Sequence, residues 1–351
     1  MTFIELGELC DKGTSNLAQK DLLIDSGRYP VYGAAGEITK VDFYQQSKPY
    51  LGIVKDGAGV GRVMRLPSNS SVIGTLQYIF PKENVDLKYL YYLIKYLDLG
   101  KSNTGATIPH IYFKDYKKRK VKVISYSEQK HIGKIFELLD MQLNTYKNTL
   151  KQYNLLVKSR FVEMFGNPII NDKKYPVFKL KDISQKIGSG FTPRGGNSNY
   201  IDEGIAFIRS MNIYNNTFKK DNLVYIDEFL AKQLSQVEVF SNDLLLNITG
   251  ASVARCCTVP DHILPARVNQ HVCIIRQCKI SNVFLEYCLT NESYQEHLLL
   301  LSNKNGATRE ALTKIQVENL EVISPPLVEI SRFTKIVDQI NKLKFACIVY
   351  N

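Results

Sequence analysis

The chain repeats itself, and the repeat limits its architecture more than any other feature does. Thr104-Gly105-Ala106-Thr107 returns as Asn305-Gly306-Ala307-Thr308, Val123-Ile124-Ser125 as Val322-Ile323-Ser324, and Lys134-Ile135 as Lys335-Ile336, at offsets of 201, 199 and 201. Upstream, Leu76-Gln77 aligns with Asn269-Gln270, and Asp56-Gly57-Ala58-Gly59 with Thr249-Gly250-Ala251-Ser252, both at an offset of 193. Chance can supply any one such match, but not a set in one order at a nearly constant offset. The 351 residues are therefore two divergent copies of one unit, which agrees with the two domains expected of this length.

Each copy opens with short apolar runs punctuated by glycine, such as Tyr50-Leu51-Gly52-Ile53-Val54 followed by Lys55-Asp56-Gly57-Ala58-Gly59-Val60-Gly61, the pattern of loop-joined strands. A short helix over 87–97 and a basic stretch over 113–123 follow. From Ser127 the pattern changes. Apolar residues fall at Ile132, Ile135, Leu139, Leu143, Tyr146, Leu150, Tyr153, Val157, Phe161 and Met164, in steps of three and four that average close to 3.5, with no proline before Pro168. This is a seam at coiled-coil spacing on a rod of about 38 residues and on the order of 55 Å; a long core helix is the alternative. A second seam, Ile330, Phe333, Ile336 (or Val337), Ile340 and Leu343, follows Pro325-Pro326 and covers about half that length before residue 351. Two seams in one chain can pair. The predicted fold is α+β, with two similar globular domains at 1–124 and 171–324 and helical regions at 125–170 and 325–351 pairing as an antiparallel coiled coil.

Lys plus Arg outnumber Asp plus Glu by 45 to 34, a net charge of +11, so a polyanion such as nucleic acid is the first partner to consider. The seven cysteines include no CxxC pair and read as reduced core residues. No start resembling a signal peptide and no apolar run of membrane-spanning length is found, so no membrane association and a cytoplasmic location are expected.

The order globule, long helix, globule, helix resembles the specificity subunit of Type I restriction-modification systems. Ser125-Tyr126-Ser127-Glu128-Gln129-Lys130-His131-Ile132 is similar to the family's S-x-x-E-Q-x-x-I start of the central helix. Gly188-Ser189-Gly190-Phe191-Thr192-Pro193, followed by Gly204-Ile205-Ala206-Phe207-Ile208-Arg209, is similar to the opening of a target recognition domain. Arg28-Tyr29-Pro30-Val31-Tyr32-Gly33 with the Asp56–Gly61 loop resembles another version of it. The resemblance implies a non-catalytic subunit whose two recognition domains read the halves of a bipartite DNA site. Its helices would carry two adenine methyltransferase (modification) subunits, which bind S-adenosylmethionine, and in the full complex restriction subunits that use ATP and Mg. The second helix, shorter than the family's, is the departure.

Enzymatic readings of the residues are weaker. The Tyr50–Gly61 run resembles the strand and glycine loop of a methyltransferase, but copy two has lost two of its three glycines. No [ND]PP[FY] box occurs, Ser324-Pro325-Pro326-Leu327 being the nearest sequence, and no Gly-Lys-[Ser/Thr] completes a P-loop. Triplets such as Asp86-Leu87-Lys88 lack the acidic partner of a nuclease centre, and the five histidines lack metal-ligand spacing. No catalytic residue, metal ligand or cofactor of the chain itself is expected.

DNA contacts call for Arg or Lys against phosphates, Arg against guanine, and Asn or Gln against adenine. The candidates lie where the copies agree or beside loop signals: Gln77, Asn269 and Gln270; Thr104, Gly105 and Thr107 with Asn305, Gly306 and Thr308; Thr249; Arg194, Arg209 and Arg267. Lys117, Lys118 and Arg119, within the run from Lys114 to Lys122, could track the backbone or form a solvated basic strand. A non-enzymatic coiled-coil adaptor whose charge is incidental is the alternative function.

Overall fold

A computed structural model describes residues 3–22, 27–102, 109–122, 124–192, 195–277, 279–303 and 310–349. It divides into two compact units, 1–146 and 147–351.

In unit 1 the strands β1 (Cys10–Thr14), β2 (Tyr50–Val54), β3 (Val63–Leu66) and β4 (Leu76–Pro81) form an antiparallel sheet in the order β1-β4-β2-β3. β2 is an unbroken buried run because both of its faces are covered. Leu51 and Ile53 pack into one core beneath the helix α1 (Leu87–Leu97), whereas Tyr50 and Val54 enter a second core with Val31 and Val72. That second core is closed by a smaller sheet of residues 29–33, 36–41 and 71–72. Residues 3–5 and 120–122 pair antiparallel, with Val121 buried between exposed Lys120 and Lys122. The long helix α2 (Tyr126–Phe165) then begins.

The S-x-x-E signature at its start is a capping box. Ser125 Oγ accepts from Glu128 N at 3.3 Å while the Glu128 carboxylate accepts from Ser125 N at 2.8 Å. The Ser125 hydroxyl also donates to that carboxylate (2.7 Å), and this bond, with the one from Ser125 N, holds the Glu128 carboxyl below its ordinary range. Gln129 is buried, accepting from Asp86 N (3.0 Å) and donating to Ile124 O (3.2 Å). It thereby ties α2 to the cap of α1, where Asp86 accepts from Tyr89 N. A Cβ at Gly133 would lie 3.0 Å from Tyr89 N, so a larger residue there would push the two helices apart.

Unit 2 repeats the plan. Its strands β5 (Ser184–Ser189), β6 (Leu244–Asn247), β7 (Cys256–Thr258) and β8 (Val272–Gln277) form a sheet in the order β5-β8-β6-β7. The helix α3 (Asn282–Leu289) lies over one face, against the side chains of Leu244 and Leu246. A sheet of residues 205–208, 224–226, 238–239 and 266–268 closes the other core. Residues 177–179 and 321–323 make the matching clip, and the helix α4 (Leu327–Val349) follows. The cysteines Cys10, Cys256, Cys257, Cys273 and Cys288 are buried free thiols, and burial pushes Cys10, Cys273 and Cys288 up to about 12.

Within unit 2 the two helical seams meet. Val157, Phe161 and Phe165 of α2 share one core with Ile330, Phe333, Val337 and Ile340 of α4, while Tyr153 and Ile336 flank it. The Tyr175 hydroxyl touches Met164 O at the end of α2 (3.3 Å) and Glu329 at the start of α4 (3.0 Å), so the helices run antiparallel. Val337, not Ile336, is the inward residue of this turn. Leu150 and Tyr146 are half-buried, and Ile135, Leu139 and Leu143 are exposed, so the proposed seam is covered at one end.

Candidate nucleic-acid interface

In both units a tight turn follows the central strand, and the same hydrogen bonds build it. Val54 N donates to Arg62 O (2.9 Å) and Gly61 N to Val54 O (2.8 Å); their counterparts are Asn247 N to Arg255 O (2.8 Å) and Ala254 N to Asn247 O (2.9 Å). Gly57 N donates to Pro109 O as Gly250 N does to Glu310 O, and Ile111 N to Lys55 O as Leu312 N to Ile248 O. Gly57 and Gly250 both sit at positive φ, +80° and +74°. The amides of Gly57, Gly61, Gly250 and Ala254 are bonded to carbonyls of the chain itself, which makes each turn a structural element that fixes the strand ends.

The backbone around each turn carries a surface rich in cations and aromatic rings. In unit 2 a cleft of about 530 Å³ is lined by Ser210, Met211, Tyr214, Thr249, Arg255, His271 and Glu310. Tyr214 has the Lys219 ammonium 4.1 Å and the Arg255 guanidinium 4.6 Å from its ring centre. His271 Nδ1 lies 2.5 Å from Thr249 Oγ1, and Gln270 Nε2 is 3.1 Å from His271 Nε2. The Tyr214 hairpin is held from below: Asn216 donates to buried Glu286 (3.2 Å) and to Thr290 (2.9 Å). Burial raises the Glu286 carboxyl, and its bonds from Thr258 and Asn216 partly offset this. In unit 1, His110 pairs with Asp56, its ring centre is 4.0 Å from that of Tyr112, and Lys114 stands 5.1 Å from the Tyr112 ring centre. Cations held beside these rings place positive charge where the phosphates of a duplex can settle.

A family model for the Type I restriction modification DNA specificity domain matches residues 1–153 and again 172–346. The chain belongs to that family. It is 22% identical, over 82% of its length and 75% of the relative's, to the Type I restriction enzyme MjaVIII specificity subunit of Methanocaldococcus jannaschii. Its fold is similar to the Type I restriction-modification S subunit of M. genitalium, with a TM-score of 0.64 and 14% identity over 99% of this chain and 93% of that one. A chain from a structural study of complex assembly and conformational transition in the type I R-M system matches with a TM-score of 0.51 and 15% identity, over 99% and 92%. This is a specificity subunit of two specificity domains.

Against this fold, the candidate contacts separate. Thr249 and Gln270 stand at the unit 2 cleft or beside it, with Gln270 exposed and bonded to Thr192. Asn269 is buried and shapes the turn by accepting from His271 N (3.1 Å). Arg209 is half-buried, donating to Asn222 O (2.5 Å). Lys117, Lys118 and Arg119 are exposed. Thr104, Gly105, Thr107, Arg194, Asn305, Gly306 and Thr308 lie outside the described residues.

Two candidates are corrected. Gln77 is in the core of unit 1, its amide bonded to Tyr116, and is shielded from any base. Strand register also changes its counterpart. Val54 faces Leu76 and Asn247 faces Val272, so Gln77 corresponds to Cys273 at an offset of 196 and not to Gln270. Arg267 is buried too; its guanidinium is spent on Ala231 O, Ala266 O and Glu238. The sequence reading missed Tyr214, Lys219, His271 and the matched pair Arg62 and Arg255. That pair sits at the same offset of 193 as the glycine turns, and extending the turn alignment by three residues would have found it.

Among the described residues no group of three or more His, Cys, Asp or Glu side chains could hold a metal, and no helix is long and apolar enough to cross a membrane.

Proposed function

We propose that each unit reads one half of a bipartite double-stranded DNA site with the surface around its turn, and that the chain performs no chemistry itself. The observation that carries this reading is that one backbone platform occurs twice, with an arginine at the same backbone position and different side chains around it: Asp56, His110 and Tyr112 in one unit, Thr249, His271 and Tyr214 in the other. A shared platform with variable side chains is what two readers of unlike half-sites require. The chemistry then belongs to partners in the cytoplasm: two modification subunits carrying S-adenosylmethionine and restriction subunits carrying ATP and Mg. The M. genitalium and M. jannaschii relatives, both specificity subunits by name, support this assignment.

If the arginines meet DNA, Arg62→Ala and Arg255→Ala each weaken duplex binding. Each also lowers the slope of log affinity against log salt by about 1 if the contact is to phosphate, or costs about 1–3 kcal/mol with relaxed specificity if it is to guanine. Fluorescence anisotropy across a salt series measures both, and affinity and slope unchanged in both variants would overturn the assignment. Purified chain incubated with duplex DNA and labelled S-adenosylmethionine transfers no methyl group above blank; a robust signal would return the chemistry to this chain.

A further inference from the structure

Unit 2 carries an element that unit 1 lacks. Ile213 and Tyr214 pair with Thr217 and Phe218 in a hairpin whose turn is Asn215-Asn216, and Lys219 follows it. No separate two-stranded hairpin occurs among the described residues of unit 1. The turn is bonded from two sides. Asn216, at φ +58°, donates its amide N–H to Cys256 O (3.0 Å), and the Asn215 side chain accepts from Cys256 N (3.1 Å), which fixes the turn to β7. From the helices behind, Gln295 accepts from Asn215 (3.0 Å), while Glu286 and Thr290 accept from Asn216 (3.2 and 2.9 Å).

Glu286 is buried, and both of its oxygens are used. One accepts from Asn216, the other from the Thr258 amide N–H (2.9 Å) and the Thr258 hydroxyl. Three converging donors suit an ionised carboxylate. Its support is rigid, because α3 is held in the core by Phe284 and Tyr287, whose rings lie 4.9 Å from Phe165 and 5.4 Å from Phe333. Burying a charge is costly, and core packing alone does not call for one. Unit 1 shows as much. The caps Asp86 and Ser281 correspond, so Glu286 matches Tyr91 of α1, and strand register matches Thr258 to Arg65 of β3. There the Arg65 guanidinium stands 5.6 Å from the Tyr91 ring centre. The acid occurs in the unit that has the hairpin.

We infer that Glu286 is a positioning residue of the unit 2 surface: its carboxylate holds the Asn215-Asn216 turn so that Tyr214, with the Lys219 and Arg255 cations beside its ring, keeps its place at the cleft. The inference rests on the function proposed above and adds that discrimination in the half-site of unit 2, and in that half alone, depends on Glu286.

Glu286→Gln sets an amide against the Asn216 amide, and Asn216→Asp sets one carboxylate against another. The two together face one donor with one acceptor again at unchanged net charge. Asn216→Gly removes the side chain and keeps the left-handed turn. Methylation-sensitive sequencing of DNA from cells carrying the parent chain and its partners supplies the motif. Fluorescent duplexes with that motif, intact or with one base pair changed in either half, are then titrated with each full-length variant by anisotropy, beside urea unfolding. Each single variant is expected to lose at least about tenfold of its discrimination in one half and none in the other, and the double variant to return to within about threefold of the parent. A lower unfolding midpoint with discrimination unchanged would overturn the proposal by making Glu286 a purely structural residue. Loss shared equally by both halves, or a double variant no better than Asn216→Asp, would overturn it too. Arg255→Ala separates this failure from that of the DNA reading. If it relaxes one half while Glu286→Gln and Asn216→Gly do not, the positioning role alone is wrong; if none of the three has an effect, the surface does not read DNA and both fall.

Discussion

Exchanging residues 1–124 for the matching segment of another specificity subunit is expected to replace one half of the methylated DNA motif and leave the other half unaltered. The junction is suited to the exchange because unit 1 closes its own clip between residues 3–5 and 120–122, and Ser125 then caps α2. The incoming segment meets α2 through Gln129 and Gly133, which remain in place. On the reading proposed above, the turn at 57–61 and the residues around His110 leave with the old segment, whereas the turn at 250–254 and the cleft around Tyr214 stay. Each base pair that a reader rejects costs about 1–3 kcal/mol, roughly additively, so a half-site of several base pairs switches almost completely. Methylation-sensitive sequencing of DNA from cells carrying the exchanged subunit and its partners gives the answer. If both halves change together, or neither does, the two units are not independent readers.

Replacing Phe333 by alanine is expected to destabilise unit 2 by about 3–5 kcal/mol, whereas Leu139→Ala changes stability by no more than about 0.5 kcal/mol. The two residues belong to seams with the same spacing. Phe333 is fully buried, with the rings of Phe161, Phe165 and Tyr287 centred 5.4 to 5.6 Å away, and its removal leaves a cavity that those rigid rings cannot fill. Leu139 faces solvent over much of its surface and leaves no cavity. Because a domain is held by only about 5–15 kcal/mol, the first change consumes a large share of the stability of unit 2. Urea unfolding followed by circular dichroism measures the difference. Equal effects of the two substitutions would mean that α2 is covered along its whole length in solution.

The sequence by itself determined whatever depends on near neighbours along the chain. The doubled unit, the α+β order, the helix at 87–97, the long helix and the turns at Gly57 and Gly250 were all legible, because capping, glycine conformation and apolar period act over a few residues. The family resemblance rested on the same local signals, and the capping box at Ser125 shows why one of them is there. Tertiary structure alone decided which polar residues face outward. Gln77 and Arg267 carry the right chemistry for DNA, but strand register turns both into the interior, and Gln77 pairs with Tyr116. Between β7 and β8 unit 2 has gained three residues relative to the stretch between β3 and β4, so an alignment at a single offset matched Gln77 to Gln270 where the sheet matches it to Cys273. The fate of the seam was likewise not local. A spacing near 3.5 says that a helix has an apolar stripe, not what lies against it. Only the packing shows that the stripe is buried over 157–165, where α3 and α4 converge on it, and left open over 135–143. Burial is a property of what surrounds a side chain, and that is set by residues far away in sequence.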